Sequence, residues 1–206
     1  MKKIVVFLLS FGLLAAFSAG AQDDQYASIE GTGRGSEQLE HRARLAFSQN
    51  FADYLFLGTV NGDLQLSIHR YWTMQIGARY NNWTWRHRQD NQFESRQQSY
   101  YIGARWWPWY TYSGWWVGTK LQYQEYNRGG IFSPATEEGD AWGMALGGGY
   151  SVHVNRWLNV DFGMFGWGGV TKYVSYACPY CGRKTGEGVK GFFLPDEVRV
   201  ALQFIF

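Results

Sequence analysis

The sequence predicts an all-β protein, an eight-stranded antiparallel up-and-down transmembrane β-barrel. Three observations predict it. The chain opens on an export signal. The rest alternates apolar and polar residues in segments of about ten, the length a tilted spanning strand needs. The connections between these segments are alternately short and long.

The export signal comes first. Met1-Lys2-Lys3 precedes a run at residues 4–17 that is apolar apart from Ser10 and Gly12, followed by Ala19-Gly20-Ala21 and the polar Gln22-Asp23-Asp24. A basic start, an apolar stretch and a small-x-small site make a secretory signal peptide, cleaved after Ala21. The apolar run is short for a membrane-spanning helix. Cleavage removes Lys2 and Lys3 and no acid, so Lys+Arg falls from 19 to 17, against 17 Asp+Glu. A mature chain near neutrality has no basic surplus for nucleic acid. The composition is otherwise marked by 26 Gly, 11 Trp, 14 Tyr and 14 Phe.

Residues 22–41 are polar and contain Gly31-Thr32-Gly33-Arg34-Gly35, a flexible lead-in on the periplasmic side. Those glycines lack the strand–helix context of a nucleotide loop. The barrel is expected over 42–206. Its first strand sets Ala43, Leu45 and Phe47 against Arg42, Arg44 and Ala46. The second sets Leu64, Leu66 and Ile68 against Asp63, Gln65, Ser67 and His69. Trp72 to Asn81, Ser99 to Trp106, Trp115 to Gln124, Trp142 to Tyr150 and Leu158 to Phe165 continue the pattern. The last strand sets Val198, Val200, Leu202, Phe204 and Phe206 against Glu197, Arg199, Ala201, Gln203 and Ile205. Short turns are expected at 69–71, 108–114 and 153–156, and longer outer loops at 50–61, 86–96, 126–139 and 172–194. With eight strands, both termini then lie on the short-turn side, the periplasm.

Two features choose the membrane over water. The polar face is rich in glycine (Gly77, Gly103, Gly118, Gly143, Gly147, Gly149 and Gly163), which suits the crowded interior of a narrow barrel. Aromatics gather at the strand ends: Trp106, Trp107, Trp109, Tyr110, Tyr112, Trp115 and Trp116 at one, Trp83, Trp85 and Tyr126 at the other. This is the two-girdle pattern of membrane interfaces. Arg44, Arg79, Arg105, Lys120, Asp161 and Arg199 fall mid-strand on the polar face. They are expected inside, with Asp161 and Glu197 balancing the arginines and a surplus of positive charge left over.

Cys178 and Cys181 are the only cysteines, in Cys178-Pro179-Tyr180-Cys181-Gly182. A redox pair lacks its βαβ setting. Half a zinc site would need ligands from a second chain. A disulfide fits an oxidising compartment.

That motif, followed by Gly186-x-Gly188-x-Lys190-x-Phe192-Phe193 and the closing strand to Phe206, resembles an uncharacterised family of Bacteroidetes outer-membrane barrels. The segments His69-Arg70-Tyr71-Trp72 and Glu138-Gly139-Asp140-Ala141-Trp142-Gly143 resemble it too. The resemblance implies the fold, the outer membrane and a neighbourhood of fimbrial genes, and no chemistry. In Leu202, Phe204 and the terminal Phe206 the chain also resembles outer-membrane proteins whose last strand is read by the barrel-assembly machinery.

The expected role is structural or surface-interacting rather than enzymatic. No catalytic residue, metal or cofactor is singled out. Expected partners are outer-membrane lipid and lipopolysaccharide, the assembly machinery and a surface protein at the outer loops. The enzymatic alternative is a lipid-active hydrolase, with Ser151–His153 or His87 near Asp90 and Glu94 as the nearest groupings. A narrow channel is a third reading, disfavoured because eight strands leave no open lumen.

Overall fold

In the computed structural model, residues 44–55, 58–85, 93–129, 135–178 and 182–206 are described. The expected signal peptide (1–21) and lead-in (22–41) lie outside the described residues. Eight antiparallel strands form a closed ring in sequence order: β1 (Leu45–Asn50), β2 (Val60–His69), β3 (Trp72–Trp85), β4 (Phe93–Trp106), β5 (Gly114–Gly129), β6 (Thr136–Asn155), β7 (Leu158–Tyr176) and β8 (Lys184–Ile205). β1 closes the ring on β8, with Ala46 opposite Ile205 and Asn50 opposite Ala201. One short helix, α1 (Ala52–Leu55), follows β1.

The alternation sorts side chains as expected. Leu64, Leu66, Ile68, Met74, Ile76, Ile102, Val117, Leu121, Met144, Leu146, Phe162, Met164, Val198 and Val200 are all exposed on the outer face. Polar side chains fill the inside, among them Gln65, Thr73, Gln75, Asn159 and Gln203 at 0–1 % exposure.

The inward glycines are small for a specific reason. A Cβ on Gly77 would strike the Tyr101 ring, and one on Gly147 would lie 2.5 Å from Phe165. A Cβ on Gly149 or Gly163 would lie 2.5 or 2.6 Å from the Trp116 indole. Each glycine thus makes room for a ring from a facing strand. Phe165 and Trp116 stack with centroids 5.4 Å apart, inside the ring.

Three findings correct the sequence reading. First, Trp107, Tyr112 and Trp116 belong to the interior, at 0 %, 3 % and 1 % exposure, not to a rim girdle. The β4–β5 turn folds inward. Tyr112, with φ of 65°, donates its hydroxyl to the carbonyls of Arg44 and Gln65 at 3.1 and 3.2 Å. Trp107 Nε1 donates to Thr73 Oγ1 at 3.1 Å. Trp106, Trp109, Tyr110 and Trp115 remain exposed. Tyr126 also turns inward, packed against the buried cluster, and the Trp85 side chain lies outside the described residues. At the far end Tyr80, Tyr100 and Trp142 are exposed, with Tyr123 beside Trp142 at 4.3 Å between centroids.

Second, the strands on the long-loop side run well beyond the expected ten residues. Pairing of β7 with β8 continues to Tyr176 opposite Lys184, so the connection expected over 172–194 is mostly strand. Third, Arg44 is exposed just before β1, so it is not an interior charge.

Candidate functional site

Among the described residues, nine charged side chains inside the ring form one connected network. Arg199 is its hub. Its Nε donates to Asp161 Oδ2 at 2.6 Å, NH1 to Glu197 Oε1 at 3.0 Å and NH2 to Asp63 Oδ2 at 2.9 Å. Arg105 NH1 reaches the same Asp161 oxygen at 2.8 Å and lies over the Trp116 ring, 4.2 Å from its centroid. Trp116 Nε1 donates to the other Asp161 oxygen at 2.6 Å. Lys120 Nζ donates to Glu197 Oε2 and stands 3.8 Å from the Phe165 centroid. Arg79 holds Asp196 through two nitrogens at 3.1 and 3.2 Å and also donates to Glu197. Buried ion pairs of this kind persist because each charge is met by opposite charge and hydrogen bonds.

Of the interior charges expected from sequence, Arg79, Arg105, Lys120, Asp161 and Arg199 all sit in this network at 6 % exposure or less, and Glu197 joins them. Three acids were missed. Asp63 lay on the polar face and takes Arg199 and the Ser48 hydroxyl, the latter at 2.6 Å. Asp196 breaks alternation. The β7–β8 register shifts between Phe165 opposite Glu197 and Gly166 opposite Pro195, which leaves Asp196 as the extra residue of a bulge. A bulge puts neighbouring residues on one side, so Asp196 and Glu197 both face in. Pro195, without an N–H, marks the place. Asp53 comes from α1 and belongs to no strand pattern. Its Oδ2 lies 3.7 Å from Arg79 Nε.

Within this network the surplus of positive charge expected from sequence is reversed. Five carboxylates (Asp53, Asp63, Asp161, Asp196, Glu197) meet four cations (Arg79, Arg105, Lys120, Arg199) through the ion pairs among the described residues.

Above the network, on the long-loop side, is a cavity of about 440 Å³ whose lining includes Asp53, Thr59, Arg79, Asn81, Trp167 and Asp196. Burial pushes the Asp53 carboxyl up from 3.8 to about 6, with Glu197 and Asp196 adding to the rise and Arg79 opposing it. The folded protein then keeps a proton that the unfolded chain has released. Stability from this group is present below 3.8 and is lost as pH rises to about 6. Asp53→Asn is expected to flatten that part of the stability–pH curve, measured by denaturant unfolding at a series of pH values.

Of the hydrolase groupings, Ser151 and His153 are each held by Asn159. Ser151 is 2 % exposed and accepts from Asn159 Nδ2 at 3.4 Å, while His153 Nδ1 meets Asn159 Oδ1 at 3.0 Å. Asn159 thus occupies both. His87 and Asp90 lie outside the described residues. Glu94 is 6 % exposed and pairs with Arg96 at 2.9 Å. Cys178 is disulfide-bonded, and Cys181 lies outside the described residues. On the outer face of β8, Leu202 is part-buried, and Phe204 stacks on Trp157 at 6.1 Å and 11°. Phe206 is 38 % exposed.

With this arrangement in hand, comparison with known sequences decides the family. Residues 29–206 match the model of a protein of unknown function, DUF3575. The chain belongs to the DUF3575 family. The match spans every strand of the ring, so the family and the fold coincide, and its description carries no activity. No curated protein matches the chain, nor does any solved structure.

Proposed function

We propose that this DUF3575 chain is an integral outer-membrane β-barrel with a structural or surface-interaction role. The observation that carries the reading is the inverted distribution of side chains. Large apolar residues cover the outer face of the ring, and ion pairs and amides fill its inside. Water would penalise such a continuous apolar belt, whereas lipid would cover it. The ring also closes through the pairing of β1 with β8, which joins the first and last strand edges as lipid requires. Tyr80, Tyr100, Tyr123 and Trp142 on one side and Trp106, Trp109, Tyr110 and Trp115 on the other support two interfacial girdles.

In this reading both termini are periplasmic, and lipid and lipopolysaccharide surround the belt. The face carrying Leu202, Phe204 and Phe206 is offered to the barrel-assembly machinery. The long hairpins of β5–β8 project outward, where a surface protein such as a fimbrial component would dock. The Bacteroidetes origin, carried by the motif at 178–182, is part of the same proposal. The filled interior speaks for a wall element rather than a pore.

The test is fractionation of cells expressing the full chain, followed by gel migration with and without boiling. We expect the protein in the outer-membrane fraction, with a folded band that runs faster unboiled. Recovery in the soluble fraction without detergent, with one unchanged band, overturns the reading.

A further inference from the structure

We propose that the outer cavity binds a primary ammonium group, with Asp53 as its counter-ion. The site is read from the ring's interior alone, and only the micelle format of its test rests on the outer-membrane reading. The charge balance is the first support. With every acid ionised and every base protonated, the network carries five negative charges against four positive among the described residues. Arg128, also on the cavity wall, joins none of these ion pairs, so a cation bound beside Asp53 would meet the net negative charge of the network itself.

The second support is where the unmet acceptors lie. Asp53 and Asn81 both line the cavity and are only 9 % and 4 % exposed. Asp53 Oδ2 and Asn81 Oδ1 accept no hydrogen bond. The Asn81 amide nitrogen is held by Thr59 Oγ1 at 3.2 Å, which leaves its carbonyl oxygen for another donor. Arg79 does not fill the need. Its two terminal nitrogens are engaged by Asp196 and Glu197, and its Nε stays 3.7 Å from Asp53, beyond a hydrogen bond.

A ligand that meets both acceptors would bring a positive charge and N–H donors. An anion would face Asp53 and Asp196. A hydroxyl brings donors without charge, and a quaternary ammonium brings charge without donors. A primary ammonium brings both.

The groups facing Asp53 are Arg79 from β3, Lys120 from β5, and Asp196 and Glu197 from β8, with Arg128 of β5 also on the cavity wall. Their balance and the burial of Asp53 hold its carboxyl up near 6, so a bound cation must displace a proton. Affinity should therefore rise with pH, by about tenfold from pH 5 to pH 7.

The experiment is an NMR titration of the full mature chain folded in micelles, read at the Trp167 indole N–H in the cavity wall. Ethanolamine is the probe. We expect saturable shifts, about tenfold tighter at pH 7 than at pH 5, and lost in Asp53→Asn. That variant keeps the size of the side chain and should keep its heat-modifiable migration. Tetramethylammonium and glycerol should not saturate. Phosphoethanolamine and Nα-acetyl-lysine amide then separate a lipid headgroup from a lysine side chain. Saturation by either supports the site. Equal binding by Asp53→Asn, binding of glycerol or tetramethylammonium as tight as ethanolamine, or no saturation by any amine overturns it.

Discussion

Replacing Arg199 with methionine should cost more stability than any other single change inside the ring. Arg199 is 1 % exposed and contacts Asp161, Glu197, Asp63 and the Ser48 hydroxyl. Methionine fills much of the space but offers no donor. Asp63 would lose its ion-pair partner, keeping hydrogen bonds from Ser48 and from Gln65 at 2.6 and 3.1 Å. Asp161 would keep Arg105 and Trp116, and Glu197 would keep Lys120 and Arg79. Breaking a buried pair by removing one partner typically costs ~3–5 kcal/mol, because the other charge stays buried. The measurement is the urea midpoint of micelle-folded protein, followed by the gel shift on boiling. A loss below about 1 kcal/mol, the net worth of one ordinary hydrogen bond, would show that the acids do not depend on this hub. The double variant Arg199→Met with Asp63→Asn tests the cause. It should recover part of the loss, since the orphaned charge is gone.

The second large effect is expected at the glycines that house Trp116. Gly149 and Gly163 lie opposite each other on β6 and β7. A Cβ on Gly149 would collide with the carbonyl oxygen of Phe162 and sit 2.5 Å from Trp116 Cζ2. On Gly163 it would sit 2.6 Å from Trp116 Cζ2 and 2.9 Å from the Gly148 carbonyl oxygen. Backbone in a paired sheet cannot retreat, and the indole is held by its bond to Asp161. Gly163→Val should therefore destabilise by at least the ~1–3 kcal/mol usual for overpacking, although valine is the better strand former. Gly186→Val is the control. Nothing lies within 4 Å of a Cβ there, and a change within about ±0.5 kcal/mol is expected. Equal effects at Gly163 and Gly186 would show that propensity, not space, governs these sites. Trp116→Phe combined with Gly163→Val should be less harmful than the sum of the two, because the smaller ring vacates the slot.

The strand pattern failed where its physical basis ends. Alternation is strict only where one face meets apolar surroundings and the other meets packed polar groups. At the outer end of β8 both faces are polar or small, as in Lys184, Thr185, Gly186, Glu187 and Gly188. The period disappears there although the hydrogen-bonded ladder continues. Trp107 and Tyr112 were misplaced for a related reason. An aromatic near a turn suits an interface girdle and a turn-side plug equally well. Only the inward fold of the β4–β5 turn, fixed by the Tyr112 hydroxyl and Trp107 Nε1, tells them apart.

By itself the sequence determined the eight strands, their order, which face each presents, the glycine-lined inside and most of the buried bases. These follow from a period of two and from the cost of placing charge or bulk on the wrong face. Only the tertiary structure brought in the remaining acids. Asp196 turns inward through a bulge that shifts the period by one, and Asp53 arrives on a four-residue helix with no period to read. Burial and ion pairing depend on what the ring brings together across strands, and that replaced an expected excess of positive charge with a network of five carboxylates and four cations among the described residues.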